Sequence, residues 1–404
     1  MTKMKKFLIL DIDGVLLEMR GYRLACVDTI NDFLAQMGQP SLRVTVEIHD
    51  ALESSGINSE WDMVPLTLAA FVNWYCEMTG QIPDGGEFPP RCDAVRIDDN
   101  EGFLRMLLDR IKTWASLLNS SETPINAVYH ADKSGKAQKL ESLWRLPFRD
   151  RFFVDTLDPW KCPFFARLMN LLLGKETFES FYGMGSVADC DSYLETKDRL
   201  LISDEYRLIL PDLPEKGIYP AVMTSRPSLL PADAGNKSSS YFVNTPEGEC
   251  ALRMLGWDNG RMPMIGCGSI CYIEEKLGLR LEYYVKPHPY HALAAMIFSL
   301  CGNEIRALEK SVYLCEQTAD AEQDPLGEWI GKDEHLVLSV YEDSVSGIES
   351  TRKAAGLLRQ WGYQAEAVPF GIGSTPSKNE LLRKAGVMIY NDINSALDCF
   401  FEKH

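Results

Sequence analysis

Phe7-Leu8-Ile9-Leu10-Asp11-Ile12-Asp13-Gly14 is the stretch on which the reading of this chain turns. Four consecutive apolar residues closed by a turn signal read as a buried strand of a parallel sheet. Its carboxyl end is where open α/β sheets bind their ligands, and here that end carries two acids. Gly14 lets the backbone turn sharply away from the strand. Two carboxylates two residues apart can divide labour, one attacking an electrophile while the other handles a proton. The same residues also make ordinary surface turns, so the reading needs support from elsewhere in the chain.

That support begins with further strand-like runs at 219–223, 336–341, 365–369 and 387–390, which alternate with helical stretches and so predict a parallel sheet. Residues 18–217 read differently. Leu24, Val27, Ile30 and Leu34, and again Phe103, Met106, Leu107 and Ile111, follow helical spacing. Loops such as 82–86 and Pro89-Pro90 punctuate them. The expected fold class is therefore α/β, a Rossmann-like parallel-sheet core formed by 1–17 and 218–404, with a large, mainly helical domain at 18–217 inserted after the first strand. A length of 404 residues agrees with about two domains. Segments 228–244 and 318–334 are longer than plain connections; the second reads as a tolerated surface insertion, and the first is either that or a mobile loop beside the site.

Composition narrows the partners. With 41 Lys and Arg against 58 Asp and Glu, the net charge is −17, and no basic block interrupts the chain. Nucleic acid and anionic membrane surfaces are bound through clustered cations, so neither is expected as a partner. No apolar run approaches the length of a membrane span, and the start of the chain lacks a secretory leader; a cytoplasmic protein is expected. Eleven cysteines, an odd number spread over a long chain, read as reduced thiols. Cys267 and Cys271 lack a second pair at zinc spacing and read as core packing.

Three later motifs bear chemistry. Ala221-Val222-Met223-Thr224-Ser225-Arg226 is a strand ending in hydroxyl residues, whose hydroxyl and backbone N–H groups can hold a phosphoryl oxygen; a Thr/Ser turn is the plainer alternative. Lys286, in Val285-Lys286-Pro287-His288-Pro289, lies in a loop stiffened by two prolines before a helix at 290–300. A positioned ammonium there can neutralise an attacking carboxylate and a phosphoryl group held together. Glu342-Asp343-Ser344 closes the run 336–341, and a helix follows through Gly347-Ile348 to about Gly362. Adjacent acids at a strand end suit a hard cation such as Mg²⁺, although Asp343 or Ser344 can also cap that helix.

Asp11-Ile12-Asp13-Gly14-Val15-Leu16, Thr224, Lys286 in Lys-Pro-x-Pro, and Glu342-Asp343-Ser344 with Gly347-Ile348 together resemble, in order and in strand context, the haloacid dehalogenase superfamily of phosphohydrolases. The last two motifs are most similar to its phosphoglycolate phosphatase and β-phosphoglucomutase branch. The likeness covers 5–17 and 218–400 and makes 18–217 a cap, longer than the usual helical cap. Within it, Gly21-Tyr22-Arg23, 56–62 and 181–185 resemble segments of an uncharacterised branch, and Trp61 and Asp62 are candidates to face the core site. The resemblance implies that Asp11 is the nucleophile and Asp13 the proton donor and acceptor. It further implies that Thr224 and Lys286 hold phosphoryl oxygens, with Ser225 and Arg226 beside them as substrate-binding residues. Mg²⁺ would be held by Asp11, the Asp13 carbonyl, Asp343 and Glu342. The activity so implied is Mg²⁺-dependent hydrolysis of a small phosphorylated metabolite through an aspartyl phosphate. Asp13 argues against dehalogenation, because a departing halide needs no proton. A phosphomutase and a non-catalytic regulator on the same fold are the alternatives; substrate and oligomeric state are left open.

Overall fold

The computed structural model describes residues 4–84, 86–118, 122–136, 140–232, 234, 244–318 and 323–402. In chain order the strands are β1 (Met4–Leu10), β2 (Leu17–Glu18), β3 (Arg199–Leu200), β4 (Ile218–Met223), β5 (Met264–Ile265), β6 (His335–Glu342), β7 (Gln364–Ile372) and β8 (Ile389–Tyr390). Six of them form one sheet in the order β5-β4-β1-β6-β7-β8, with every pairing parallel. β1 thus lies inside the sheet, with Ile9 opposite Ala221 on one side and Val340 on the other.

An uninterrupted apolar run is what such a strand requires. Successive side chains point to opposite faces, and both faces of β1 are covered. Phe7 and Ile9 enter one apolar cluster with Leu293, Ile297, Leu338 and Ile348. Leu8 and Leu10 enter the other with Val222, Leu252, Leu255 and Leu397. All four are fully buried, and each contributes roughly 1.5–3 kcal/mol of transfer free energy. The helices Pro289–Cys301 and Val345–Gln360 cover the first face, and Glu247–Leu255 and Ile393–Glu402 the second.

The expected strands are all present, but β1 begins three residues earlier and β7 ends three residues later than expected, and 387–390 pairs only through β8. Sequence reading missed β5, which has two residues, and the antiparallel ribbon of β2 with β3. Neither is long enough to show a hydrophobic period.

The chain divides into two compact units, Met1–Met19 with Lys197–His404, and Arg20–Thr196. Residues 197–217, which the sequence reading assigns to the insertion, therefore group with the sheet. The reason is burial: Ile202, Leu210 and Leu213 pack into the same cluster as Leu10 and Val222. Among the described residues, Arg20–Thr196 contains helices and no strand. Its apolar interior includes edge-to-face pairs such as Phe33 with Phe164 and Phe71 with Phe103. Trp61 belongs to that interior, donating from Nε1 to Met169 Sδ at 3.4 Å and standing edge-on to Tyr22.

Cys267 and Cys271 pack against Leu281 and Val285. Among the described residues no helix is long and apolar enough to cross a membrane. Of the two long segments, 233, 235–243 and 319–322 lie outside the described residues.

Candidate active site

At the end of β1 the backbone folds back on itself. The Ile12 carbonyl accepts hydrogen bonds from the N–H groups of Val15, Leu16 and Leu17 at 2.9–3.3 Å. Gly14 is left-handed, with φ +75°, and a Cβ there would collide with the Asp343 carboxylate. Glycine is needed at this position on both counts. The turn presents Asp11, which is 6% exposed, with Oδ1 accepting from the Ile12 N–H at 2.9 Å.

Lys286 comes to the same oxygen from another segment. Its Nζ lies 3.0 Å from Asp11 Oδ1 and 2.8 Å from Glu342 Oε1, and donates to the Met223 carbonyl at 3.3 Å. The loop carrying it is held by His291. The Lys286 N–H donates to His291 Nδ1 at 3.3 Å, and Nε2 donates to the Ile265 carbonyl at 3.0 Å. Burial, then the nearby Lys286 ammonium, lowers the His291 pKa to about 3. A neutral ring with one donor and one acceptor is what this geometry needs.

From β6, Glu342 is fully buried and Asp343 is 4% exposed. Glu342 Oε2 accepts from Ser344 Oγ at 2.9 Å, and a Cβ at Gly347 would overlap the Glu342 side chain. Asp343 Oδ2 accepts from Lys378 Nζ at 2.7 Å. Asp11, Glu342 and Asp343 each place a carboxylate oxygen within 4.8 Å of the others. Hard oxygen donors at that spacing fit Mg²⁺.

The electrostatics agree. Burial, and after it the Glu342 carboxylate, pushes the Asp11 carboxyl well up, against the pull of Lys286; Asp13 and Asp343 add to the rise. Burial also works against charge on Lys286, but the Asp11 and Glu342 carboxylates outweigh it and raise its pKa. The ammonium is therefore retained, and the acids beside it carry more negative charge than it can neutralise.

Thr224 is fully buried at the end of β4; its N–H donates to the Ile265 carbonyl and its Oγ1 accepts from the Arg226 N–H at 3.1 Å. Ser225 is exposed. Arg226, expected among the substrate-binding residues, is engaged differently. Its Nε lies 2.9 and 3.1 Å from the two Asp13 oxygens, and its Nη2 lies 2.5 Å from Asp13 Oδ1 and 3.0 Å from Asp198 Oδ2. Its side chain is 2% exposed and that of Asp198 is fully buried. The Asp13 carboxylate thus faces Arg226 and stands outside the Asp11, Glu342 and Asp343 group.

The structure brings Asp11, Lys286, Glu342 and Asp343 together and joins Asp13 to Arg226. Sequence reading missed Asp198, His291 and Lys378. His291 lies in the helix just after the Lys286 motif and Lys378 in a helix with no motif around it, and Asp198 meets its partner across 28 residues. A second acidic group, His49 with Asp50 and Glu53, lies in Arg20–Thr196. There Arg23 already reaches Asp50 at 3.1 Å and Glu53 at 3.3 Å, and Glu60 takes His49 Nε2 at 3.0 Å.

No family model and no curated protein matches the chain. Among solved structures, it is similar to the X-ray structure of Northeast Structural Genomics Consortium target ZR25, with a TM-score of 0.61 and 16% identity over 99% of this chain and 100% of that one. That likeness is one of fold. A protein described as a β-phosphoglucomutase from Thermotoga maritima is matched at 12% identity over 98% of this chain and 99% of that one, with a TM-score of 0.37. A hydrolase from Pseudomonas syringae is matched at 12% identity over 98% of each chain, with a TM-score of 0.34. The chain has the α/β fold that its resemblance to the haloacid dehalogenase superfamily implies, a parallel sheet with its acidic motifs at the carboxyl ends of β1 and β6.

Proposed function

We propose that the chain is a Mg²⁺-dependent phosphatase of the haloacid dehalogenase superfamily, acting on a small phosphorylated metabolite. The observation that carries this reading is the meeting of buried Asp11 with Lys286, Glu342 and Asp343 around one point. A structural role does not account for it, since grouped buried carboxylates cost stability unless something neutralises them.

In the reaction, a carboxylate oxygen of Asp11 attacks phosphorus and forms an O–P bond as the ester P–O bond breaks. Asp13 gives its proton to the departing alkoxide, then takes one from the water that attacks the aspartyl phosphate. That second step releases phosphate and restores Asp11. Lys286 holds Asp11 in place and offsets the charge gathering on the transferred group, and Thr224 supplies a further donor. Asp11, Asp343, Glu342 and the Asp13 carbonyl would hold Mg²⁺, which when bound neutralises charge shared by the phosphate and its attacker. Arg20–Thr196 serves as the cap that selects the substrate.

The test is phosphate release from p-nitrophenyl phosphate and a panel of phosphorylated metabolites. We expect turnover with Mg²⁺, its loss on adding EDTA, and its loss in Asp11→Asn at an unchanged melting temperature. Turnover by Asp11→Asn at the wild-type rate, or none by the wild type on any ester, overturns the reading.

A further inference from the structure

We infer that Asp198 is a positioning residue for proton transfer, acting on Asp13 through Arg226; the inference rests on the phosphatase reading above. Asp13 lies in the turn after β1, its side chain 24% exposed. Alone, a carboxylate there would sample several rotamers. Arg226 restricts it by a two-pronged contact, Nε and Nη2 both reaching Asp13, of the kind that fixes orientation as well as distance.

The guanidinium in turn needs fixing, because a long side chain loses about 2 kcal/mol of rotamer entropy when it is held. Two contacts supply the anchor. The Arg226 N–H donates to Thr224 Oγ1, and Nη2 donates to Asp198 Oδ2 at 3.0 Å. Asp198 is itself well placed. It immediately precedes β3, where Arg199 is opposite Glu18 in the ribbon and bonds to it at 2.9 Å. The same ribbon is continuous with the acidic turn, Leu17 bridging to Asp13. Asp198 and Asp13 are thus held by one short piece of backbone pairing, with Arg226 between them.

Stability does not explain this arrangement. Burying Asp198 and Arg226 costs several kcal/mol per ion, and an apolar pair of the same volume would serve the fold as well or better. A fixed direction for the Asp13 carboxylate is what the chain gains. Arg226, the cation between the two carboxylates, accordingly directs Asp13.

The test compares two esters of similar shape, phenyl phosphate and p-nitrophenyl phosphate, with Mg²⁺ and the full chain. Phenoxide is the more basic leaving group and depends more on a well-placed proton. General acid catalysis is worth about 10²–10⁴-fold. We expect Asp198→Asn to lower kcat/KM on phenyl phosphate by on the order of 10-fold or more, and on p-nitrophenyl phosphate several-fold less. Arg226→Gln should show the same asymmetry more strongly, and Arg226→Lys should recover part of it. A purely structural role would lower both esters alike. Equal losses on the two esters, in variants that fold, overturn the inference alone. If Asp198→Asn does not fold, Arg226→Lys against Arg226→Gln decides. A wild type that cleaves neither ester, nor any metabolite of the panel, removes the phosphatase reading and this inference with it.

Discussion

Replacing Lys286 by Met keeps most of the side-chain volume while deleting one charge, and so isolates what the ammonium does. Its Nζ is 3.0 Å from Asp11 and 2.8 Å from Glu342, with its side chain 4% exposed. Without it, three buried carboxylates remain around one point, with Lys378 bonded to Asp343. Two effects follow. Loss of a preorganised charge donor in a buried site costs about 10²–10³-fold in turnover. Breaking a buried ion pair by removing one partner costs about 3–5 kcal/mol, against a total stability of roughly 5–15 kcal/mol. At about 2–4 °C per kcal/mol for a domain of this size, the melting temperature of the sheet unit should fall by roughly 6–20 °C in EDTA. A divalent cation among the carboxylates would replace part of the missing charge. Mg²⁺ should therefore raise the melting temperature of Lys286→Met more than that of the wild type. Scanning calorimetry with EDTA and with Mg²⁺, alongside steady-state kinetics, reads both effects. Turnover within threefold of wild type, or equal Mg²⁺ shifts in the two proteins, would refute the reasoning.

Two further outcomes test other parts of the molecule. Lys378→Met removes the cation bonded to Asp343 Oδ2, so Mg²⁺ should activate the variant at several-fold lower concentration; an unchanged Mg²⁺ titration would show that Lys378 does not share that charge. Asp62 is buried, and burial raises its carboxyl to about 7 despite a backbone hydrogen bond from Ile125 that lowers it. The folded chain thus keeps a proton that the unfolded chain releases lower on the pH scale. The resulting stability is full below the ordinary carboxylate range and is lost as pH rises through about 7. It amounts to on the order of 4 kcal/mol at most. Asp62→Asn should flatten the decline in melting temperature between pH 5 and pH 8, and a decline as steep as in the wild type would contradict the assignment.

The sheet was legible because its interior strands are buried on both faces. That burial favours apolar runs, continuous in Phe7 to Leu10 and broken only by Ser339 in Leu336 to Tyr341, and such runs stand out against turn residues. The acidic ends were legible for a related reason. Asp11, Glu342 and Asp343 follow directly on those runs, in positions where a core would not place charge. What could not be read is everything defined by contact alone. Arg226 follows a hydroxyl pair, and nothing in that local sequence announces its contacts with Asp13 and Asp198. The two-residue strands β2, β3 and β5 carry no period at all, and the boundary near 196 is set by where Ile202, Leu210 and Leu213 find cover, which no local pattern records.

Charge across these elements has a further consequence. Asp11, Asp13, Asp198, Glu342 and Asp343 stand against Lys286, Arg226 and Lys378, which leaves an excess of two negative charges among the described residues. A phosphate dianion approaching that cluster would meet repulsion, since each of these three cations is already bonded to a carboxylate. Burial, and after it the Glu342 carboxylate, pushes the Asp11 carboxyl up, and a protonated Asp11 would be a poor nucleophile toward phosphorus. On the phosphatase reading proposed above, one divalent cation held by Asp11, Glu342 and Asp343 would offset that excess, favour the ionised form of Asp11 and ease the approach of the dianion. On that reading metal binds before phosphate, and the acids on β1 and β6 act as parts of one site once the cation is in place.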